Sequence, residues 1–409
     1  MKWIGSYKYG NRYKMSFENI YQTVNGFLPS GFEWLGFIIA SLTLAFIVIN
    51  AVVMSGAFYT WFERRVLGKF QSRLGPNRWG PFGLFQPFAD LIKLISKEDI
   101  VPKEADEPVF HIAPMFLAVP ALLVFAVIPF GDNSFLGKMN VGVLFIIGIT
   151  GVNTFGVFMG GYASRNKYAM FGAIRGVAML ISYEVPMALS LTGVVLMSGS
   201  LALTDIVQSQ TIIFALSQPL GFLVFMTAAS AEMSRAPFDM IEAESELGAG
   251  YHTEYSGIKF AVFQLAEFLA PIVTAVVATV LFLGGTKGLD PIPGQIWFLI
   301  KVVGVIFFLV WFRVTWPRLR VDQIMAFAWK GLFPLALGNM FLVALEIEIL
   351  QTNEITISNM PVSSHLIMTG VNWIMTAVAI WIIANLLGQK RLKRGKPVPS
   401  DLANMEGAN

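Results

Sequence analysis

The stretch Ala231–Tyr255, AEMSRAPFDMIEAESELGAGYHTEY, carries six carboxylates, Glu232, Asp239, Glu242, Glu244, Glu246 and Glu254, between the apolar runs Gly221–Ala231 and Ile258–Leu283. In a soluble protein this is a solvated acidic loop, and Ser234, Pro237 and the Gly-Ala-Gly at 248–250 do mark turns. Here the acids start where one apolar run ends and stop just before the next begins. If the segment is helical, Asp239, Glu242 and Glu246 fall at i, i+3 and i+7 and stack on one face. Carboxylates crowded beside a low dielectric repel one another and desolvate badly, so some of their pKa values rise. Groups poised in that way exchange protons near neutral pH.

The rest of the chain supplies the low dielectric. Of 409 residues, 55% are hydrophobic and 13% charged, against roughly 25% charged in a soluble domain. Apolar segments able to cross roughly 30 Å of hydrocarbon follow one another at Trp34–Trp61, Phe110–Phe130, Val141–Tyr162, Gly172–Met197, Ile212–Ala231, Ile258–Leu283, Ile296–Trp316, Leu332–Leu350 and Leu366–Leu387. The fold class is therefore an all-α polytopic membrane protein of about nine transmembrane helices. Residues 1–31 read as an N-terminal extension without the order of a signal peptide. Residues 32–351 form the membrane domain, and 352–409 add a further transmembrane helix and a basic tail.

Basic residues concentrate in alternate loops: Arg64, Arg65, Lys69, Arg73, Arg78, Lys93, Lys97 and Lys103 in the first, Arg165 and Lys167 in the third, Arg235 in the fifth, and Arg313, Arg318, Arg320 and Lys330 in the seventh with the end of the span before it. The tail has Lys390, Arg391, Lys393, Arg394 and Lys396. The positive-inside rule puts these segments and the C-terminus in the cytoplasm and the N-terminus outside.

Within the first loop, Pro81–Lys97 interleaves Phe82, Leu84, Phe85, Phe88, Leu91, Ile92, Leu94 and Ile95 with Asp90, Lys93 and Lys97. That pattern predicts a cytoplasmic-side amphipathic helix lying in the interface. Gly75, Pro76, Asn77, Gly80, Pro81 and Gly83 before it force a tight turn, able to frame an opening for an amphiphile from the bilayer.

There is no cysteine, which excludes disulfides and cysteine-ligated iron–sulfur or zinc centres within the chain. His111, His252 and His365 are scattered without metal-ligand spacing, so no metal site is expected, and His111 and His252 read as structural. Glu184, between Leu180 and Met187 and beside Tyr183 and Pro186, is costly in a membrane helix unless paired or neutral. It and Arg175 read as proton-path residues or, alternatively, as a buried structural pair; Glu267 is read as Glu184 is. Lys301 is either a snorkelling lysine or part of an ion path. Glu346 and Glu348 read as interfacial.

Four long motifs resemble one family. They are ERRVLGKFQSRLGPNRWGPFGLFQPFADLIKLISKEDIVP from Glu63, GGYASRNKYAMFGAIRGVAMLISYEVPMALS from Gly160, AEMSRAPFDMIEAESELGAGYHTEYSGIKFA from Ala231 and WFRVTWPRLRVDQIMAFAWKGLFPLAL from Trp311. They are similar to the H subunit of the bacterial proton-pumping NADH:quinone oxidoreductase, respiratory complex I, over roughly Phe32–Leu350. The resemblance implies a translocase subunit of the bacterial plasma (inner) membrane, with no redox centre and no catalytic residue of its own. Quinone is then the substrate, and FMN and iron–sulfur clusters reside in partner subunits. Membrane lipid, peripheral subunits, small membrane subunits and antiporter-like subunits are the expected partners, and nucleic acid is not.

It further implies a quinone site involving Glu63, Arg64, Phe85, Asp90, Lys93, Glu232, Asp239, Arg313 and Arg320. The implied proton path runs through Arg175, Glu184, Asp239, Glu242, Glu244, Glu246, Glu254 and Glu267. Arg235, Arg313, Arg318 and Arg320 are expected counter-ions. The chain departs from the family at Gly248, where a bulkier aliphatic residue is usual, in its N-terminal extension and in the added ninth span. A membrane anchor of an energy-converting hydrogenase or formate hydrogenlyase, and a secondary transporter, are the competing readings; no internal repeat of the transporter kind is visible.

Overall fold

The computed structural model describes residues 17–26, 33–131, 139–241, 248–289, 291–350 and 362–394, and among these every regular element is helical. The order is α1 (Phe17–Asn25), α2 (Glu33–Phe70), a 3-10 turn (Pro81–Gly83), α3 (Gln86–Ile95), α4 (Glu107–Leu123), α5 (Gly142–Ala163), α6 (Lys167–Ser198), α7 (Leu203–Ser209), α8 (Phe214–Ser217), α9 (Pro219–Glu232), α10 (Gly257–Phe282), α11 (Gly294–Thr315), α12 (Val321–Phe327), α13 (Phe333–Leu350) and α14 (Val362–Arg394).

Seven helical stretches among the described residues are long and apolar enough to cross a membrane: Trp34–Phe70, Glu107–Ala126, Gly142–Ala163, Lys167–Ser198, Gly257–Phe282, Gly294–Thr315 and Val321–Ile349. The expected fifth span, Ile212–Ala231, is broken. Gln218 (φ −129°, ψ 66°) separates α8 from α9, because a residue before proline is disfavoured in the helical region. The 14 residues of α9 reach only about 21 Å. Irregular backbone at membrane depth is tolerated where protein covers it. Gln218 is fully buried and donates to the Gly193 carbonyl at 3.0 Å. In the expected ninth span, the apolar part of α14 is Leu366–Ile382.

The most buried helix, α10, packs against α2, α4 and α11. α4, α5 and α6 approach closely at small residues: a Cβ on Gly156 would meet Leu117, and one on Gly161 would overlap Ala173. Large apolar side chains such as Leu42, Phe46, Leu299 and Trp381 point outward, as they do where the solvent is lipid.

The 38 residues of α2 extend about 57 Å, well beyond the hydrocarbon. The helix therefore continues past the expected end of the first span at Trp61, and Glu63, Arg64 and Arg65 ride on the same rigid helix. The expected tight turn follows it. Gly80, Phe82 and Gly83 all have positive φ (71°, 57° and 75°), and a Cβ on Gly83 would collide with the Pro76 carbonyl. Arg65 fastens the turn to α2 by donating to the carbonyls of Pro76 (3.0 Å) and Phe82 (2.8 Å), and Trp61 Nε1 donates to Phe82 O at 3.0 Å. α3 then runs for ten residues, shorter than the expected Pro81–Lys97 because the turn takes up its beginning.

Candidate functional site

Glu63 lies one turn after Tyr59 on α2 and is only 3% exposed. Its Oε1 accepts from Arg313 of α11 and lies 3.4 Å from Arg235 Nη1. Arg235, in the loop after α9, places Nη2 at 2.9 Å from Glu267 Oε1 of α10, and its guanidinium sits 5.0 Å over the Phe268 ring. Gln264 donates to the other Glu267 oxygen at 3.2 Å. Four segments distant in sequence thus meet in an alternating seam, Arg313–Glu63–Arg235–Glu267. Its formal charges cancel, which makes burial of each tolerable; losing one partner from such a set typically costs about 3–5 kcal/mol.

Behind the seam lies a cavity of about 100 Å³ lined by Glu184 of α6, Glu232 at the end of α9 and Glu267. Thr150, Asn153, Thr154 and Thr274 add polar groups to its wall. It has room for a few waters, and the carboxylates and hydroxyls supply the partners that buried water requires. A Cβ on Gly151 of α5 would stand 2.7 Å from Glu184 Oε1, so the glycine makes the space this carboxyl occupies. Glu267 belongs to both the seam and the cavity.

Around this centre, Arg318 Nη2 lies 2.9 Å from Asp239 Oδ2, and Leu319 N donates to Pro237 O at 3.1 Å. Tyr183 Oη donates to the Ile324 carbonyl at 2.9 Å and Trp329 Nε1 to Ser182 Oγ at 3.1 Å, so α12 and the turn after it brace α6 beside Glu184. Nearer the surface, Asp90 of α3 lies 2.6 Å from Arg64 and 3.8 Å from Lys93. These pairs are more exposed and worth at most about 1 kcal/mol each. Phe85 sits against Gly80, with its ring 6.3 Å from that of Phe88.

Not every expected residue joins these groups. Glu232, expected with the Glu63 set, lines the acid cavity instead. Arg320 forms no ion pair with an acid among the described residues, and its backbone amide donates to Gln323 Oε1 at the start of α12. Arg175, on α6, is not among the residues that line the cavity. Glu254 accepts from Asn166 Nδ2 at 2.6 Å, and Asn166 Oδ1 caps α6 by accepting from Tyr168 N. Asp239 stands in a non-helical turn, so the expected stacked helix does not begin there, and Glu242, Glu244 and Glu246 lie outside the described residues.

Two further expectations change, and one residue was not expected at all. Lys301 donates to the carbonyls of Leu283, Gly285 and Lys287, which closes the C-terminal end of α10 and explains the lysine without an ion path. Glu348 is exposed as expected of an interfacial residue, but Glu346 is buried against Asn372 of α14. Lys259, inconspicuous in the sequence, lies 2.8 Å from Asp99 and 5.1 Å over the Phe110 ring. With Ser256, which accepts from Ile100 N and donates to Glu98 O, it ties the chain after α3 to the start of α10. The signal for it was a lysine at the second position of an apolar run.

His252, in the 3-10 turn Gly250–His252, is buried. Burial lowers its imidazole below the ordinary value, against a smaller raising effect of the Glu267 carboxylate. A folded-state pKa lowered in this way contributes stability that is complete above the unfolded value of about 6.5 and is lost as pH falls toward the folded one. His252→Asn should therefore flatten the loss of thermal stability of the detergent-extracted protein below about pH 6.5. An unchanged acid limb in a melting series would refute this. No group of three or more His, Asp or Glu suited to a metal occurs among the described residues.

A family model described as NADH dehydrogenase matches residues 43–344. The chain belongs to that family. It is 50% identical over 303 residues to the NADH-quinone oxidoreductase H subunit of Dehalococcoides mccartyi strain CBDB1, covering 74% of this chain and 85% of the relative. It is 48% identical over 327 residues to the H subunit of Bacillus cytotoxicus, covering 79% and 98%, and 48% identical over 323 residues to that of Bacillus thuringiensis, covering 78% and 97%. The seam and the cavity both fall inside the family match, whereas Glu346 and α14 lie beyond it.

Proposed function

We propose that this chain is the bacterial plasma-membrane subunit of an NADH-quinone oxidoreductase that forms the floor and one wall of the quinone chamber and couples quinone reduction to proton translocation. The observation that carries the reading is Glu267, which is ion-paired in the charged seam on one side and faces the acid cavity on the other. A change of charge at the seam is thereby felt by groups able to carry protons.

A largely apolar crevice of about 910 Å³ runs along α2 beside α10 and α11 and reaches Tyr59, which also borders the seam. It suits an isoprenoid tail arriving from the bilayer. α3 exposes Leu91, Ile92 and Ile95 next to Lys93 and lies in the cytoplasmic-side interface, with Arg64, Asp90, Lys93 and Phe85 at the chamber mouth. Glu63, Arg313 and Asp239 stand further in, and the exposed Arg320 completes the proposed quinone site from the surface. Electrons come from an iron–sulfur cluster of a partner subunit, since this chain has no cysteine to hold one.

Negative charge developing on the quinone in a dry chamber acts strongly on nearby guanidinium groups. Drawn toward it, Arg313 and Arg235 hold Glu63 and Glu267 less firmly in the ionised state. Glu267 then takes a proton from the cavity, where water links it to Glu232 and Glu184. Asp239, Glu242, Glu244, Glu246, Glu254 and Arg175 are the further members we assign to this path. The chain crosses the membrane nine times, counting the broken span and α14, with its N-terminus outside and its C-terminus in the cytoplasm.

The test is a photoreactive quinone applied to the assembled complex in native membranes, with labelled peptides identified by mass spectrometry. Label within Tyr59–Arg64 and Phe82–Lys93, suppressed by excess unlabelled quinone, is expected. Label confined to other subunits would remove this chain from the chamber wall.

A further inference from the structure

α14 begins 18 residues after the family match ends at residue 344, yet it packs on α8, α9 and α13. Its buried residues Met368, Asn372, Thr376 and Ala379 recur at i, i+4, i+8 and i+11, so they form one face. Ile367, Trp373, Ile374, Val378, Trp381 and Ile382 are exposed around it. Apart from Met368, small and polar groups point inward, and large apolar ones point outward. That is the arrangement of a helix embedded in lipid, where association depends on close packing and interhelical hydrogen bonds rather than on a hydrophobic face.

The polar contacts are specific. Asn372 Nδ2 donates to Glu346 Oε2 of α13 at 2.9 Å, with Asn372 2% and Glu346 9% exposed. Trp373 Nε1 donates to the Leu216 carbonyl of α8 at 3.1 Å. On α13, Asn339 shares the buried face of Glu346 two turns away and reaches the break between α8 and α9. A Cβ on Gly221 would lie 3.0 Å from Asn339 Nδ2 and 3.2 Å from Gln218 Oε1. Gln218 Oε1, Asn339 Nδ2 and Glu346 Oε1 are all buried without a hydrogen-bond partner among the described residues. Gln218 and Asn339 are enclosed between Gly193 of α6 and Gly221 of α9, whereas Glu346, at the far end of this polar line, is met by α14; none of the three could be solvated by lipid.

We propose that α14 is the chain's own cover for Glu346 and for the outer side of the broken span α8–α9, a transmembrane helix seated in register by the Asn372–Glu346 hydrogen bond. A single buried amide is an effective register pin, because every other register leaves it and its partner unsatisfied. Apolar helices alone slide against one another with little to choose between positions. The inference rests on the membrane setting of the chain and not on its part in quinone chemistry.

The chain has no native cysteine, so a Leu216→Cys/Trp373→Cys pair in the full-length chain reports seating through a short bifunctional maleimide, applied to the assembled complex in membranes. In that background, Asn372→Leu should lower the cross-linking yield roughly three- to tenfold, the range expected for an interhelical hydrogen bond in a membrane. Glu346→Leu added to Asn372→Leu should restore the yield, since removing both buried partners is nearly neutral while removing one is not. An unchanged yield with Asn372→Leu, or a double variant as poor as the single one, would overturn the proposal. Should Asn372→Leu prevent accumulation of the chain, accumulation of the double variant decides by the same rule: recovery supports the seat, and none refutes it.

Discussion

Arg235→Met should reduce the amount of chain found in the assembled complex and lower NADH-driven quinone reduction by on the order of a hundredfold or more, the size implied by about 3–5 kcal/mol for one partner lost from a buried charge set. Among the described residues only Arg235 is ion-paired with both buried carboxylates, with Nη1 toward Glu63 and Nη2 toward Glu267. With it gone, Arg313 still answers Glu63, but Glu267 keeps only the neutral amide of Gln264. Arg235→Lys should fall between, because a point charge cannot serve two acids as a planar fork does. Adding Glu267→Gln to Arg235→Met returns the seam to charge balance and should recover assembly. It should not recover proton pumping, since Glu267 is the link to the cavity. Assembly is read on native gels and pumping in proteoliposomes. Normal assembly and turnover of Arg235→Met would mean that the seam is not an energetic unit.

Parts of this arrangement are legible in the sequence for physical reasons, and the missing parts have reasons too. The helices are legible because each apolar run must satisfy its backbone internally, and the loop glycines are legible because Gly80 and Gly83 stand where positive φ is needed. That arginines answer the acids follows from the cost of burying either alone. Which arginine answers which acid does not follow: Arg313 and Glu63 are 250 residues apart, and no local pattern links them. The break at Gln218 was written in the Gln-Pro pair at 218–219, but hydropathy averages across it. Glu232 shows the same limit. It sits beside the other acids in sequence, yet the end of α9 turns it into the cavity with Glu184 and Glu267. Tyr59 and Lys259 were hidden in apolar runs, where a single polar side chain scarcely changes the average.

The second large effect concerns Glu184. Glu184→Gln keeps the size and hydrogen-bonding capacity of the side chain but cannot carry a proton, so the chain should assemble at near-normal levels. Coupled turnover should fall on the order of a hundredfold, the low end of what a positioned proton-transfer group supplies. Proton pumping per electron in proteoliposomes should fall with it, and an uncoupler should not restore turnover, because the defect lies in the proton step and not in back-pressure. Glu184→Asp should be intermediate, as it keeps the chemistry and shortens the reach. A second route to the same end leaves the carboxyl in place: Gly151→Val puts a side chain where Glu184 Oε1 lies, so it should push Glu184 off the cavity and depress pumping while Gly148→Ala on the same helix, which meets open space, does not. If Glu184→Gln pumps normally, the cavity is a structural water pocket and the proton route must leave Glu267 by another side. If Glu184→Gln fails and Gly151→Val does not, the carboxyl matters wherever it sits, and the cavity's geometry is not what positions it.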